Sequence, residues 1–462
     1  MKIAMVASEV VPFAKTGGLA DVVGALPLAL NDCGQEVIII MPKYKCITDS
    51  KFRVSRVSKD VSSANIGENI KVYFMENDLY FNRDGLYMNK DGDYKDNLER
   101  FAFFCRRALD WLKEIDFAAD ILHLHDWQAS LTAVYLKNLY SKEPFYSRMK
   151  SILTIHNLGY QGLFPKNEFA KLGLESSLFS VSGLEFYNQI NLLKGGIIFS
   201  DFINTVSPTY AKEIQTEELG FGLDGLLKQR KNVLSGIVNG LDYYVWDPNT
   251  DRFIVQNFSA RNIEDKSFNK EKLQAICGLP VNKDIPVLGV VSRLVEAKGF
   301  DILAQSLDEI CKMNVQIVIL GTGDLKYHQI LGAAQKRYPS IISLNLKFDD
   351  PLAHKIYAGS DIFLMLSKYE PCGLGQLISL HYGTIPLVFK TGGLADTINK
   401  NNGFVFTNYT KEEFIRLVKK VAVIFQDKKK WMRLINNAMK CNFSWEDSAK
   451  KYIQLYAQAK EK

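Results

Sequence analysis

The heptapeptide KTGGLAD occurs twice in the chain, at Lys15–Asp21 and at Lys390–Asp396. Each copy follows an apolar run and sets a lysine beside paired glycines. Paired glycines let a backbone approach an anion closely, and free amides at a helix start favour negative charge. One copy alone reads as a tight strand-to-helix turn. Two copies read as paired phosphate sites, or as an old duplication in which one copy still works. SRLVEAKG adds Arg293 and Lys298, just past another apolar run. A guanidinium fork and an ammonium point charge together can hold a diphosphate, and the alternative is two solvated surface cations. EPCGL sets Glu370 ahead of Cys372, Gly373, Leu374 and Gly375 at the start of an expected helix. A carboxylate there can bind sugar hydroxyls or steady positive charge at a sugar carbon; the alternative is a helix cap. HLHDWQAS and TIHNLGYQG put His125–Asp126 and His156–Asn157 at two further strand ends.

These residues need elements to position them. KIAMVAS (2–8), EVIIIMP (36–42), ILHLH (121–125), SILTIHN (151–157) and INTVS (203–207) are apolar runs of strand length. VLGVVSRL (287–294), VQIVILG (315–321), ISLNLKF (342–348), DIFLMLS (361–367), IPLVFK (385–390) and GFVF (403–406) follow in the second half. Continuous apolar runs of this kind suit strands buried on both faces of a parallel sheet. Amphipathic helical patterns lie between them, at 18–34, 96–115 and 126–142. The alternation specifies an α/β class with two doubly wound, Rossmann-like domains facing a deep cleft. The first domain is expected over 1–240, joined by a C-terminal helix at 446–462, and the second over 241–445. The polar stretch Asn249–Lys272 reads as a linker.

The composition excludes several classes. A net charge of +6, from 57 basic and 51 acidic residues, is too small and too evenly spread to argue for nucleic acid. No run reaches the ~18–20 apolar residues of a membrane span. Glu9 and Pro12 break the N-terminal apolar run, so it reads as a strand rather than a signal peptide. Seven cysteines without a CxxC pair or a Cys/His cluster read as reduced thiols in a cytoplasmic protein, with no metal site. Oligomeric state stays open.

Taken together, KTGGLADV, HLHDW, TIHNLGYQG, GIVNGLD, SRL…KG and EPCGL…YGTIP…TGGLAD, in this order over nearly the full length, resemble the bacterial glycogen synthases and plant starch synthases. That resemblance implies a GT-B fold and a retaining transfer of glucose from ADP-glucose to the non-reducing-end 4-hydroxyl of an α-1,4-glucan. It implies no cofactor beyond the donor and no metal requirement. It assigns Lys15 and Gly18 to the donor's diphosphate and sugar, and Arg293 and Lys298 to its phosphates. It assigns Glu370 to the glucosyl hydroxyls, with Cys372, Gly373 and Leu374 forming the next turn. His156 is implied beside the anomeric centre, Asn239 in donor positioning, and Phe348 against adenine. Asp21, Tyr87, Asp126 and Asn157 also match family positions. Gly375 departs from the resemblance, since relatives often carry Thr, Asn or Ser there. Front-face transfer and double displacement through Asp126 or Glu370 both remain open. Rival readings are another retaining GT-B enzyme, such as a sucrose-synthase-like or phosphorylase-like one, and a silent nucleotide-sugar binder.

Overall fold

A computed structural model describes residues 1–461. The chain forms two compact units: Met1–Gly240 with Trp445–Lys462, and Leu241–Ser444.

The first unit is built on a nine-stranded sheet. Its parallel part runs in space as Ile70–Met75, Glu36–Pro42, Lys2–Val6, Ile121–His125, Lys150–Ile155, Phe202–Thr205 and Leu234–Gly236. Val61–Ile66 and Ser55–Arg56 extend one edge antiparallel. The sequence reading missed these two strands and Ile70–Met75. VSSANI and IKVYFM mix polar and apolar residues, so they lack the continuous apolar character that marks the central strands. Leaving Lys2–Val6, the chain first adds strands on one side, then returns to add the rest on the other. The switch point therefore lies between Lys2–Val6 and Ile121–His125. In open α/β sheets the crevice beyond the carboxyl ends at such a point is the usual ligand site. The C-terminal helix Trp445–Glu461 packs in this unit, where the Tyr452 hydroxyl accepts from Asn204 Nδ2 (3.0 Å) and the Tyr456 hydroxyl meets His123 Nδ1 at 2.8 Å.

The second unit carries a six-stranded, all-parallel sheet. Its spatial order is Ile342–Asn345, Gln316–Leu320, Val287–Val291, Ile362–Met365, Ile385–Phe389 and Phe404–Phe406. In chain order that is 3-2-1-4-5-6, the doubly wound arrangement, with its switch point between Val287–Val291 and Ile362–Met365. Helices such as Phe300–Ile310 and Lys411–Gln426 cover the sheet, and Val290, Leu303, Ile317, Leu364 and Val418 belong to one buried cluster. The stretch read as a linker is instead part of this unit. Ile254 and Phe258 are buried in its second apolar cluster, and Lys266–Ile276 forms a helix. Buried polar side chains of the segment anchor it as well, Lys266 donating to the Ala358 carbonyl (2.6 Å) and to the Thr384 hydroxyl (2.7 Å). Asp251 adds a buried bond to the Tyr382 hydroxyl (2.7 Å) and one to His354 Nδ1 (2.7 Å).

Among the described residues no helix is long and apolar enough to cross a membrane, and no cluster of three or more His, Cys, Asp or Glu could hold a metal ion. All seven cysteines are free thiols.

Candidate active site

In the first unit the sheet's switch point brings together three loops. Lys2–Val6 ends in Ser8–Glu9, and helix Gly18–Asp32 begins directly after the first KTGG. Glu9 is buried and accepts from four donors. Its Oε1 takes the Thr16 hydroxyl (2.6 Å) and the Tyr87 hydroxyl (2.6 Å). Its Oε2 takes the Thr16 amide and the Gly17 amide, the latter at 3.2 Å. Charge-assisted bonds of this kind are about twice as strong as neutral ones. Glu9 therefore pins the glycine loop from behind. Sequence reasoning missed it, treating it as an interruption of an apolar run. The usable signal was a single carboxylate at a strand's carboxyl end, directly ahead of KTGG.

Tyr87 is the second support of the loop. Its hydroxyl also meets Ser8 Oγ at 2.7 Å, and burial keeps it protonated by raising its pKa well above the ordinary range. The structure thus places Tyr87 behind the glycine loop. Lys15 reaches back to Asp21 Oδ1 at 2.7 Å while its side chain stays 53% exposed. Asp21 holds the cation without burying it. A methyl group at Gly17 or Gly18 would have nothing within 4 Å, and Gly17 has an ordinary extended φ of −151°. Neither backbone geometry nor packing requires glycine there.

His125, Asp126, His156 and Asn157 converge at the neighbouring strand ends. His125 Nδ1 lies 3.0 Å from His156 Nε2, with the rings stacked. Burial pushes His156 down to about 3, and His125 well below its usual value. Both imidazoles are therefore neutral near pH 7. His125 Nε2 is buried with no hydrogen-bond partner. An orphaned buried N–H is rarer than an under-used acceptor, so the His125 proton belongs on Nδ1, donated to His156 Nε2. His156 then carries its own proton on Nδ1 and offers a donor to a ligand oxygen. Asp126 has a left-handed φ of 56° and accepts the His156 amide at 2.7 Å. Burial pushes its carboxyl up to about 7, against the lowering effect of the His156 and Asn157 amides. It anchors the His156–Asn157 turn. Asn239, at the end of this unit, is buried with an Oδ1 that has no hydrogen-bond partner.

In the second unit the switch point is a cavity of about 180 Å³, lined among others by Ser292, Lys298, Tyr357, Glu370 and Gly375. Lys298 Nζ contacts Glu370 Oε2 at 2.5 Å, and Ser367 Oγ donates to the same oxygen at 2.8 Å. Arg293 is exposed on the loop after Val287–Val291. Phe348 lies beyond strand Ile342–Asn345 with 84% of its surface exposed. Gly373 has φ +75°, and Gln376 Nε2 ties the turn by donating to the Cys372 and Gly373 carbonyls at 2.9 and 3.0 Å. Cys372 is buried. At Gly375 a methyl group would sit 2.9 Å from the Phe363 ring and 3.2 Å from the Tyr357 hydroxyl. Neighbouring side chains thus fill the space a larger residue would take at that position.

The second KTGGLAD lies beside this turn. The Gly393 amide donates to the Glu370 and Pro371 carbonyls, each at 3.1 Å. A methyl group would sit 2.0 Å from the Glu370 carbonyl oxygen at Gly392, and 2.1 Å from the Cys372 carbonyl oxygen at Gly393.

Residues 2–229 match the family of starch synthase catalytic domains, and residues 275–441 match glycosyl transferases group 1. A glycogen synthase from Thermotoga maritima is 45% identical over 485 aligned positions, covering 99% of each chain. The chain belongs to the glycogen and starch synthase family. Another glycogen synthase, from Geotalea uraniireducens, is 47% identical, covering 99% of this chain and 98% of its own. The solved catalytic domain of starch synthase IV from Arabidopsis thaliana, bound to ADP and acarbose, matches with a TM-score of 0.90 at 32% identity. It covers 100% of this chain, with 99% of its own length matched. Sucrose-phosphate synthase from Thermosynechococcus elongatus, at TM-score 0.64 and 16% identity, shares the fold alone. Like the other members of the glycogen and starch synthase family, the chain is a glucosyltransferase with the two-domain GT-B architecture.

Proposed function

We propose that this protein transfers glucose from ADP-glucose to the 4-hydroxyl at the non-reducing end of an α-1,4-glucan, releasing ADP with retention of configuration. The observation that carries this reading is the Lys298–Glu370 pair inside the cavity of the second unit. It sets a cation for a leaving diphosphate next to a carboxylate for a sugar. Full-length identity to glycogen synthases and the ADP-bound relative support the choice of substrates.

Breaking the sugar–phosphate bond puts positive charge on the anomeric carbon and added negative charge on the diphosphate. Lys298 and Arg293 stabilise the departing diphosphate; Glu370 holds sugar hydroxyls and offsets the positive charge. Phe348 supplies an exposed ring for adenine. The turn through Cys372, Gly373, Leu374 and Gly375 offers its backbone to the donor. In the first unit, Lys15 with the Gly17 and Gly18 backbone offers a cation and open amides suited to an anionic group. Neutral His156 donates a hydrogen bond rather than a charge, Asn157 lies beside it, and Asn239 steadies the donor with its free Oδ1. The glucan hydroxyl attacks from the leaving-group face. Its oxygen bonds the anomeric carbon as the phosphate oxygen leaves, and its proton passes to that phosphate. No enzymic nucleophile is needed, and Asp126 is poorly placed to be one, since its carboxylate is buried on the His156 amide. The cations take the neutralising role, so the reaction needs no metal and no cofactor. Seven free thiols suit a reducing, cytoplasmic setting.

The test supplies purified protein with ADP-glucose and maltoheptaose. We expect ADP release matched one for one by chain lengthening, with UDP-glucose a poorer donor. No ADP and no lengthening with either donor would overturn the reading.

A further inference from the structure

Among the described residues, six other than glycine have left-handed backbone conformations: Arg53, Asp116, Asp126, Tyr187, Asn188 and Phe221. Arg53 and Asp116 follow the ends of helices, where this conformation is common. Asp126 belongs to the site described above. Tyr187, Asn188 and Phe221 have no such role, and all three lie in one small region of the first unit. Left-handed backbone at a non-glycine residue costs about 1–3 kcal/mol, and such positions concentrate at functional sites.

The two loops touch. A methyl group at Gly222 would lie 2.9 Å from the Phe186 ring and 3.5 Å from the Tyr187 ring. Phe186 and Tyr187 pack edge to face at 4.7 Å. Yet Tyr187 is 80% exposed, and Phe221 is also exposed. The strained backbone holds rings outward that burial would otherwise draw in. Polar groups edge them: Glu185 Oε1 accepts the Asn188 amide at 2.8 Å. The region is also coupled to the reaction site of the same unit. Gln161, in the TIHNLGYQG loop that carries His156, donates to the Phe221 carbonyl at 3.1 Å and accepts from buried Asn191 at 2.6 Å.

We infer that Tyr187 and Phe221 form a sugar-stacking platform for outer residues of the acceptor glucan, away from its reacting end. A pyranose ring presents a flat face of C–H groups edged by hydroxyls. An exposed aromatic ring edged by amide and carboxylate groups complements both. A linear glucan fits this surface because the platform is continuous, through Gln161, with the loop that serves the reacting end. The inference rests on the glucan-acceptor reading above.

The experiment measures electrophoretic retardation in gels containing glycogen, with melting temperature recorded for each variant. Tyr187→Gly removes the ring and relieves the left-handed penalty. Its apparent affinity for glycogen should fall about tenfold or more, equivalent to ~1.4 kcal/mol, while its melting temperature holds or rises. Tyr187→Phe keeps the ring and should be retarded like the parent. Equal retardation of parent and Tyr187→Gly would overturn the platform, as would lost binding accompanied by lost stability. Loss of binding in Tyr187→Phe would overturn stacking, and so would a parent protein that glycogen does not retard. The donor assay separates this from the functional reading. A parent that releases ADP while Tyr187→Gly still binds glycogen fully keeps the activity and loses the platform. A parent that is retarded but releases no ADP does the reverse.

Discussion

The same seven residues, KTGGLAD, sit in two quite different surroundings. At Lys15–Asp21 the glycines face open space, the lysine is exposed, and a buried carboxylate, Glu9, grips the loop from behind. At Lys390–Asp396 the glycines are buried and press directly on the carbonyls of Glu370 and Cys372. Glycine in the first copy leaves room outside the protein. In the second it lets two backbones meet inside it, bracing the turn that carries Glu370. An identical sequence therefore does not establish an identical role; what surrounds each Cα decides it.

That contrast can be broken most sharply at the glycines. Gly393→Ala forces a methyl group against the Cys372 carbonyl oxygen at 2.1 Å. We expect it to destabilise the second unit by about 3 kcal/mol and to abolish turnover, since overpacking against rigid backbone is costly. Gly17→Ala should leave the melting temperature within a degree or two while lowering turnover, because the added methyl meets ligand rather than protein. Thermal melts and ADP-release rates on both variants check this, and equal stability losses would erase the distinction.

Glu9→Gln gives a smaller effect that sharpens the first half of the comparison. It replaces acceptor capacity facing the Thr16 and Gly17 amides with a donor. A loss of about 1.5–3 kcal/mol in loop stabilisation should appear as roughly 10–100-fold lower kcat/KM. Unchanged kinetics would remove Glu9 as the loop's anchor.

The last effect is read in acid rather than by substitution. Behind the first heptad, His123 and His156 are each pushed by burial to about 3, and His125 well below its ordinary value. The unfolded chain protonates them near 6.5, so stability present above that value is lost as pH falls toward 3. Asp126 acts oppositely, since its raised folded pKa favours the folded state below about 7. Three groups against one leave a net of two protons, a slope of up to about 2.7 kcal/mol per pH unit between pH 6 and 4. Denaturant melts across that range measure it, and a flat profile would contradict the neutral histidine cluster.

The fold was largely legible in the sequence, because strands buried on both faces announce themselves as unbroken apolar runs. Ile70–Met75 and Val61–Ile66 were not, since strands nearer the sheet edge tolerate polar residues such as Lys71, Ser62 and Ser63. The segment through Ile254 and Phe258 read as a linker because only two of its buried side chains are apolar, while the others, such as Asp251, Lys266 and Lys270, are polar groups that sequence composition reads as solvated. Lys298, Glu370 and His156 drew notice in the sequence because SRLVEAKG, EPCGL and TIHNLGYQG each follow an apolar run of strand length, and the structure brings Lys298 and Glu370 into contact. Glu9 was hidden, because its role depends on a loop folding back over it. The difference between the two heptads was equally invisible, because it resides in neighbours distant along the chain.

The central claim is that one heptad works on the substrate and the other on the protein. Its most direct test is the turnover of Lys15→Ala beside Lys390→Ala, with ADP-glucose and glycogen. The account predicts that Lys15→Ala loses roughly 100–1,000-fold in kcat with its fold intact, as for removal of one charge-stabilising group. It predicts that Lys390→Ala, altered at an exposed position, stays within about threefold of the parent. Equal losses in the two variants, or none in either, would contradict it.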